Sequence, residues 1–225
     1  MSDAIDGIDS ISTRTKFSYG LGALGKDFAC SIVYLFLMYY YTDVAGVPAA
    51  FVGTLFLVVR MIDAVSDPVM GMIVDNTRSR FGKFRPWIVL GTVINSLALL
   101  ALFSAHLFSG LQLLLFVTVT YIVWGLTYTI MDIPFWSIVP ALSARREERE
   151  RLVVWPRLFA SIAWTIIGTY GLASIAFLGR GEEGRGFLLL SGLIIIAFLA
   201  SALITFSQVK ERVATQVTIE RFSFG

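Results

Sequence analysis

Residues 51–74 form an apolar run that carries three full charges and a proline, Arg60, Asp63, Asp67 and Pro68. The run is long enough to cross a hydrocarbon core of about 30 Å at about 1.5 Å per helical residue. On a helix Asp63 and Asp67 stand one turn apart on one face, with Arg60 a turn before them. Twelve Leu, Ile, Phe and Val residues in the run supply roughly 4 to 7 kcal/mol of insertion free energy. Three central charges cost roughly 8 to 10 kcal/mol. The helix therefore inserts poorly alone and must turn its charges toward protein, water or a bound ion. Pro68 has no N–H to offer the carbonyl of Ala64. Two carboxylates, the Ser66 hydroxyl and a loose carbonyl make an all-oxygen set of the kind hard cations such as Na⁺ prefer. The alternative is a neutralised ion-pair network that only holds helices together. Intramembrane ionisable groups weigh toward function.

The rest of the chain matches that run. A composition 56% hydrophobic and 15% charged, with a mean hydropathy of +0.77, marks an integral membrane protein. A net charge of +2 gives no footing for nucleic acid. One cysteine, Cys30, and one histidine, His106, leave no disulfide framework and no zinc or haem set. No cofactor is expected. No metal-ligand motif, nucleophile-base pair or Gly-Asp protease signature is present, so the chain is not read as an enzyme.

Six spans are predicted over residues 17–41, 51–74, 86–107, 111–139, 155–178 and 187–207, giving an all-α membrane protein. Residues 1–15 read as a cytoplasmic tail, 16–208 as the six-helix bundle and 209–225 as a second cytoplasmic tail. The Lys and Arg residues number eighteen. Thirteen fall on one side, in the loops around 78–85 and 145–151 and in the two tails. Arg180 and Arg185 fall on the other, and three lie within spans. The positive-inside rule then makes both termini cytoplasmic.

The charges predicted within spans are Lys26, Asp27, Arg60, Asp63, Asp67, Asp132 and Arg157. Acids exceed bases by one, a charge that a cation or a proton could neutralise. Tyr121, Gly125, Tyr128, Asp132 and Trp136 share a helical stripe, with Thr129 alongside. An aromatic ring beside carboxylates is a sugar-binding combination, the ring covering an apolar pyranose face and the charged groups taking the hydroxyls. Interfacial anchoring is the alternative for the single tyrosines, and less so for Trp136. A snorkelling arginine is the alternative for Arg157. Gly20, Gly22 and Gly25 follow no strand, so they read as small residues for close helix packing rather than a phosphate loop.

Five segments together carry a family likeness. They are Tyr19-Gly20-Leu21-Gly22-Ala23-Leu24-Gly25-Lys26-Asp27-Phe28, Met38-Tyr39-Tyr40-Tyr41-Thr42-Asp43, Arg60-Met61-Ile62-Asp63 with Asp67-Pro68, the stretch from Thr77 to Trp87, and Met131-Asp132-Ile133-Pro134-Phe135-Trp136. In order and spacing these resemble the glycoside-pentoside-hexuronide cation symporters, melibiose carriers among them, within the major facilitator fold. The resemblance implies the N-terminal bundle of that fold, in a bacterial-type inner membrane. It implies symport of an α-galactoside with Na⁺, Li⁺ or H⁺. By the same likeness Asp63, Asp67 and Thr129 contribute to the cation site, with Ser66 where the family has Asn. Lys26, Asp27, Asp132, Trp136 and Arg157, with Tyr128 nearby, then meet the sugar. Family members carry two six-helix bundles that rock about a midplane site. A second bundle, or a second copy of this chain, is therefore the expected partner, with a non-transporting remnant of the fold as the competing reading.

Overall fold

The structure is a computed structural model and describes residues 11–211. Six helices long and apolar enough to cross a membrane are present among the described residues. They are α1 (Thr13–Tyr39), α2 (Ala49–Asp75), α3 (Arg85–Leu102), α4 (Gly110–Ser137), α5 (Arg146–Gly179) and α6 (Glu183–Gln208). The architecture is the expected all-α bundle. Parts of both assigned tails lie outside the described residues. The Ser12 side chain accepts from the Thr15 N–H and starts α1, so residues 13–15 are helical.

Three boundaries depart from the sequence reading. The span predicted over 86–107 stops as α3 at Leu102 and is followed by a 3₁₀ turn, Ala105–Leu107. Residues 141–151 are not a loop throughout. A single turn, Val139–Leu142, is followed by α5 from Arg146. Glu147 and Glu148 in the first turn of α5 suit the positive helix end, and Arg146 pairs with Glu150 one turn on at 2.8 Å. Likewise α6 takes in Glu183 to Gly186, assigned beforehand to a glycine-rich loop.

Small residues decide which helices approach closely. A Cβ on Gly25 would meet Ser201 and the Ala197 carbonyl oxygen, the latter at 2.9 Å, and one on Gly22 would meet Thr205 and Phe135. These glycines seat α1 on α6 and α4, as their spacing suggested. Gly91 of α3 lies against the backbone of Met131 on α4. By contrast α2 is peripheral, with five of its 27 residues buried against fifteen of 27 in α1. Its inward stripe is Val52, Leu55, Val59, Met70 and Val74, and its outward stripe includes Leu57, Met61, Val65 and Met72. Asp63 and Asp67 fill the gap in the inward stripe between Val59 and Met70.

The segments assigned to one side gather at one end of the bundle. Glu148 accepts from the Ile11 N–H and from Lys16 at 2.9 Å. Glu211 accepts from the N–H groups of Lys83 and Phe84, each at 2.9 Å. At the opposite end the Tyr39 hydroxyl donates to Glu183 at 2.6 Å, and Tyr40 bonds His106 at 2.9 Å.

Candidate functional site

Two ionic groups lie side by side between α1, α2 and α4. The first is centred on Lys26, which is buried on α1. Its ammonium reaches Asp132 Oδ1 at 2.8 Å, Asp27 Oδ2 at 3.4 Å and the Tyr128 hydroxyl at 3.3 Å. It also lies 5.5 Å from the ring centres of Phe135 and Trp136 and 5.7 Å from that of Tyr128. An ammonium in so little water needs such partners, because an unpaired buried charge costs several kcal/mol. The other Asp27 oxygen accepts from the Trp164 indole N–H at 3.1 Å.

The second group belongs to α2 and its contact with α4. Arg60 Nη1 donates to Asp63 Oδ2 at 3.2 Å, and Thr129 donates to Asp67 Oδ1 at 2.9 Å. The remaining Asp63 oxygen is buried without a hydrogen-bond partner and faces Gly125, where an added Cβ would lie 3.3 Å away. A buried carboxylate oxygen left unpaired calls for a proton or a cation.

One cavity of about 200 Å³ joins the groups; Asp63, Asp67, Tyr128, Thr129 and Asp132 are among its lining residues. Asp132 thus belongs to the Lys26 cluster and to the wall facing the α2 carboxylates. Two expected residues stand apart. The Ser66 hydroxyl donates to the Asp63 carbonyl of its own helix at 3.3 Å and is not among the lining residues. Arg157 is exposed and lines a separate groove of about 540 Å³ beside Trp136, Arg146 and Arg149. With Arg157 outside the cavity, Asp27, Asp63, Asp67 and Asp132 face Lys26 and Arg60 alone. The local excess is two carboxylates rather than one, and Asp67 has no basic partner among the described residues.

Three residues of this region escaped the sequence reading: Tyr34, Trp124 and Trp164. Trp124 stacks on Tyr128 at 5.4 Å and on Tyr121 at 6.0 Å, extending the α4 aromatic stripe. Tyr34 lies two helical turns beyond Asp27, and Trp164 two turns beyond Arg157. That spacing was the signal available for both.

Comparison with known proteins gives the family. A family model described as MFS/sugar transport protein matches residues 18–222. An uncharacterized symporter of Bacillus subtilis, YnaJ, is 33% identical over 97% of this chain and 48% of its own length. A putative glycoside/cation symporter of Escherichia coli, YagG, is 34% identical over 83% of this chain and 42% of its own. The isoprimeverose transporter of Lactiplantibacillus pentosus is 34% identical over 89% of this chain and 42% of its own. The chain belongs to the MFS sugar transport family, and with six apolar helices among the described residues it is a multi-pass membrane protein. It spans somewhat under half the length of these relatives.

Proposed function

We propose that the chain forms the cation- and glycoside-binding bundle of a sugar symporter, taking an α-galactoside together with Na⁺, Li⁺ or H⁺. The observation that carries this is the shared cavity. Asp63, Asp67 and Thr129 offer oxygens to a monovalent cation on one wall, and Asp132, oriented by Lys26, faces them. A cation entering beside Asp63 and Asp67 offsets their excess charge, and the field at Asp132 changes with it, so sugar and cation affinities are linked. Asp27, Asp132 and Lys26 supply hydroxyl partners. Trp136 and Tyr128 supply ring faces. Arg157 reaches the sugar from the neighbouring groove, and Ser66 joins the cation ligands once its hydroxyl leaves the Asp63 carbonyl. Both termini lie on the cytoplasmic side of an inner membrane, on the strength of the basic end of the bundle. Accumulation needs a second bundle, or a second copy, as the opposite wall of the cavity.

Melibiose binding to the chain, reconstituted in nanodiscs with and without a second six-helix bundle, tests this in NaCl, LiCl or choline chloride. Stimulation by Na⁺ or Li⁺ is expected in the parent and is lost in Asp63→Cys and Asp67→Cys, with both variants still inserted. Equal stimulation in parent and variants sinks the assignment.

A further inference from the structure

Tyr34 stands between the two ionic groups. Its hydroxyl accepts from Arg60 Nη2, and its ring lies 4.9 Å beneath the Arg60 guanidinium. The same ring is 6.1 Å from Trp164 and 6.1 Å from Trp124. Among the described residues this is the hydrogen bond that joins α1 to α2, because α2 packs chiefly on α4 and barely touches α1. Beyond Tyr34 the links run in both directions. Arg60 pairs with Asp63, whose second oxygen is unpaired, and Trp164 holds Asp27. A continuous path, Asp63–Arg60–Tyr34–Trp164–Asp27, therefore spans three helices from the cation carboxylates to the buried Lys26 cluster.

We propose that Tyr34 is the positioning residue that couples cation occupancy at Asp63 and Asp67 to the setting of Asp27, with Trp164 as its relay. This rests on the reading of Asp63 and Asp67 as the cation site. When a cation takes over Asp63, Arg60 loses its carboxylate, and the Tyr34 hydroxyl and ring become its principal anchor. The guanidinium then draws on the phenol more strongly, and the Tyr34 ring shifts against Trp164. The Trp164 N–H reorients on Asp27, which changes how much of that carboxylate is left for Lys26 and for a ligand. Tyr34 and Arg60 line the shared cavity themselves, and in this scheme Tyr34 acts through its neighbours. It sets where Arg60 rests and what Trp164 holds.

The test needs no sugar. The chain in nanodiscs is treated with a hydrophobic carbodiimide in NaCl, LiCl or choline chloride, and modification of Asp27, Asp63 and Asp67 is read by peptide mass spectrometry. In the parent, Na⁺ or Li⁺ protects Asp63 and Asp67 and alters modification of Asp27 by about fivefold, a typical size for coupled sites. Tyr34→Phe keeps the ring but removes the acceptor, and Trp164→Phe keeps a ring but removes the donor. Each retains protection at Asp63 and Asp67 and loses the response at Asp27. Two variants on different helices keep the test standing if one misfolds. Protection at Asp63 and Asp67 with an unchanged Asp27 in the parent, or an Asp27 response that survives both substitutions, overturns the coupling alone. No protection by either ion in the parent overturns Asp63 and Asp67 as a Na⁺ or Li⁺ site, and the coupling with it.

Discussion

At the residue scale, Lys26 is the basic partner of both Asp27 and Asp132 among the described residues. Lys26→Ala leaves two carboxylates with reduced solvation and no cation. A loss of roughly 3 to 5 kcal/mol is expected, the usual size for breaking such a pair from one side. Thermal denaturation in detergent reads it, and Lys26→Ala combined with Asp132→Asn should recover part of the loss. A melting point unchanged in Lys26→Ala would show that the two ion pairs do not hold the bundle together. Arg60 behaves differently. It is half-exposed and bonded to Tyr34, so its contribution lies in where it holds Asp63 more than in stability.

The helices show which parts of this were legible beforehand and why. Six apolar runs were plain, because lipid forces the backbone to satisfy itself and spacing then fixes the faces. Asp63, Asp67 and Asp132 could be picked out as misfits in those runs. The start of α5 could not, because charged residues mark where a helix leaves the bilayer rather than where it ends. Pro156 lies within α5, although its neighbours suggested a beginning. Nor could Trp164 be paired with Asp27, since that contact joins residues 137 apart in sequence and depends on how α1 and α5 cross. The glycines give an element-scale prediction. Gly25→Val drives a branched side chain into Ser201 and the Ala197 carbonyl, so a loss of about 1 to 3 kcal/mol is expected. Gly53→Ala on α2, with nothing within 4 Å, should leave the melting temperature at or above the parent value. Equal destabilisation by the two would contradict the peripheral position of α2.

For the whole molecule, the six spans among the described residues put both ends of the bundle on one face of the membrane, and the proposed assignment of that face to the cytoplasm rests on the basic residues. In a Cys30→Ser background, an impermeant thiol reagent added to intact cells should modify Glu183→Cys and leave Ser79→Cys and Ala144→Cys untouched. Modification at position 79 would reverse the orientation. The ion pair between Lys26 and Asp132 also sets a timetable for biogenesis. The two residues are 106 apart in sequence, so at about 5 to 20 residues per second α1 waits roughly 5 to 20 s for its counter-charge. During that interval its ammonium has only the adjacent Asp27 for company. That charge weighs against early release into lipid, so α1 is expected to stay beside the insertion machinery until α4 emerges, which crosslinking of arrested nascent chains of increasing length would read.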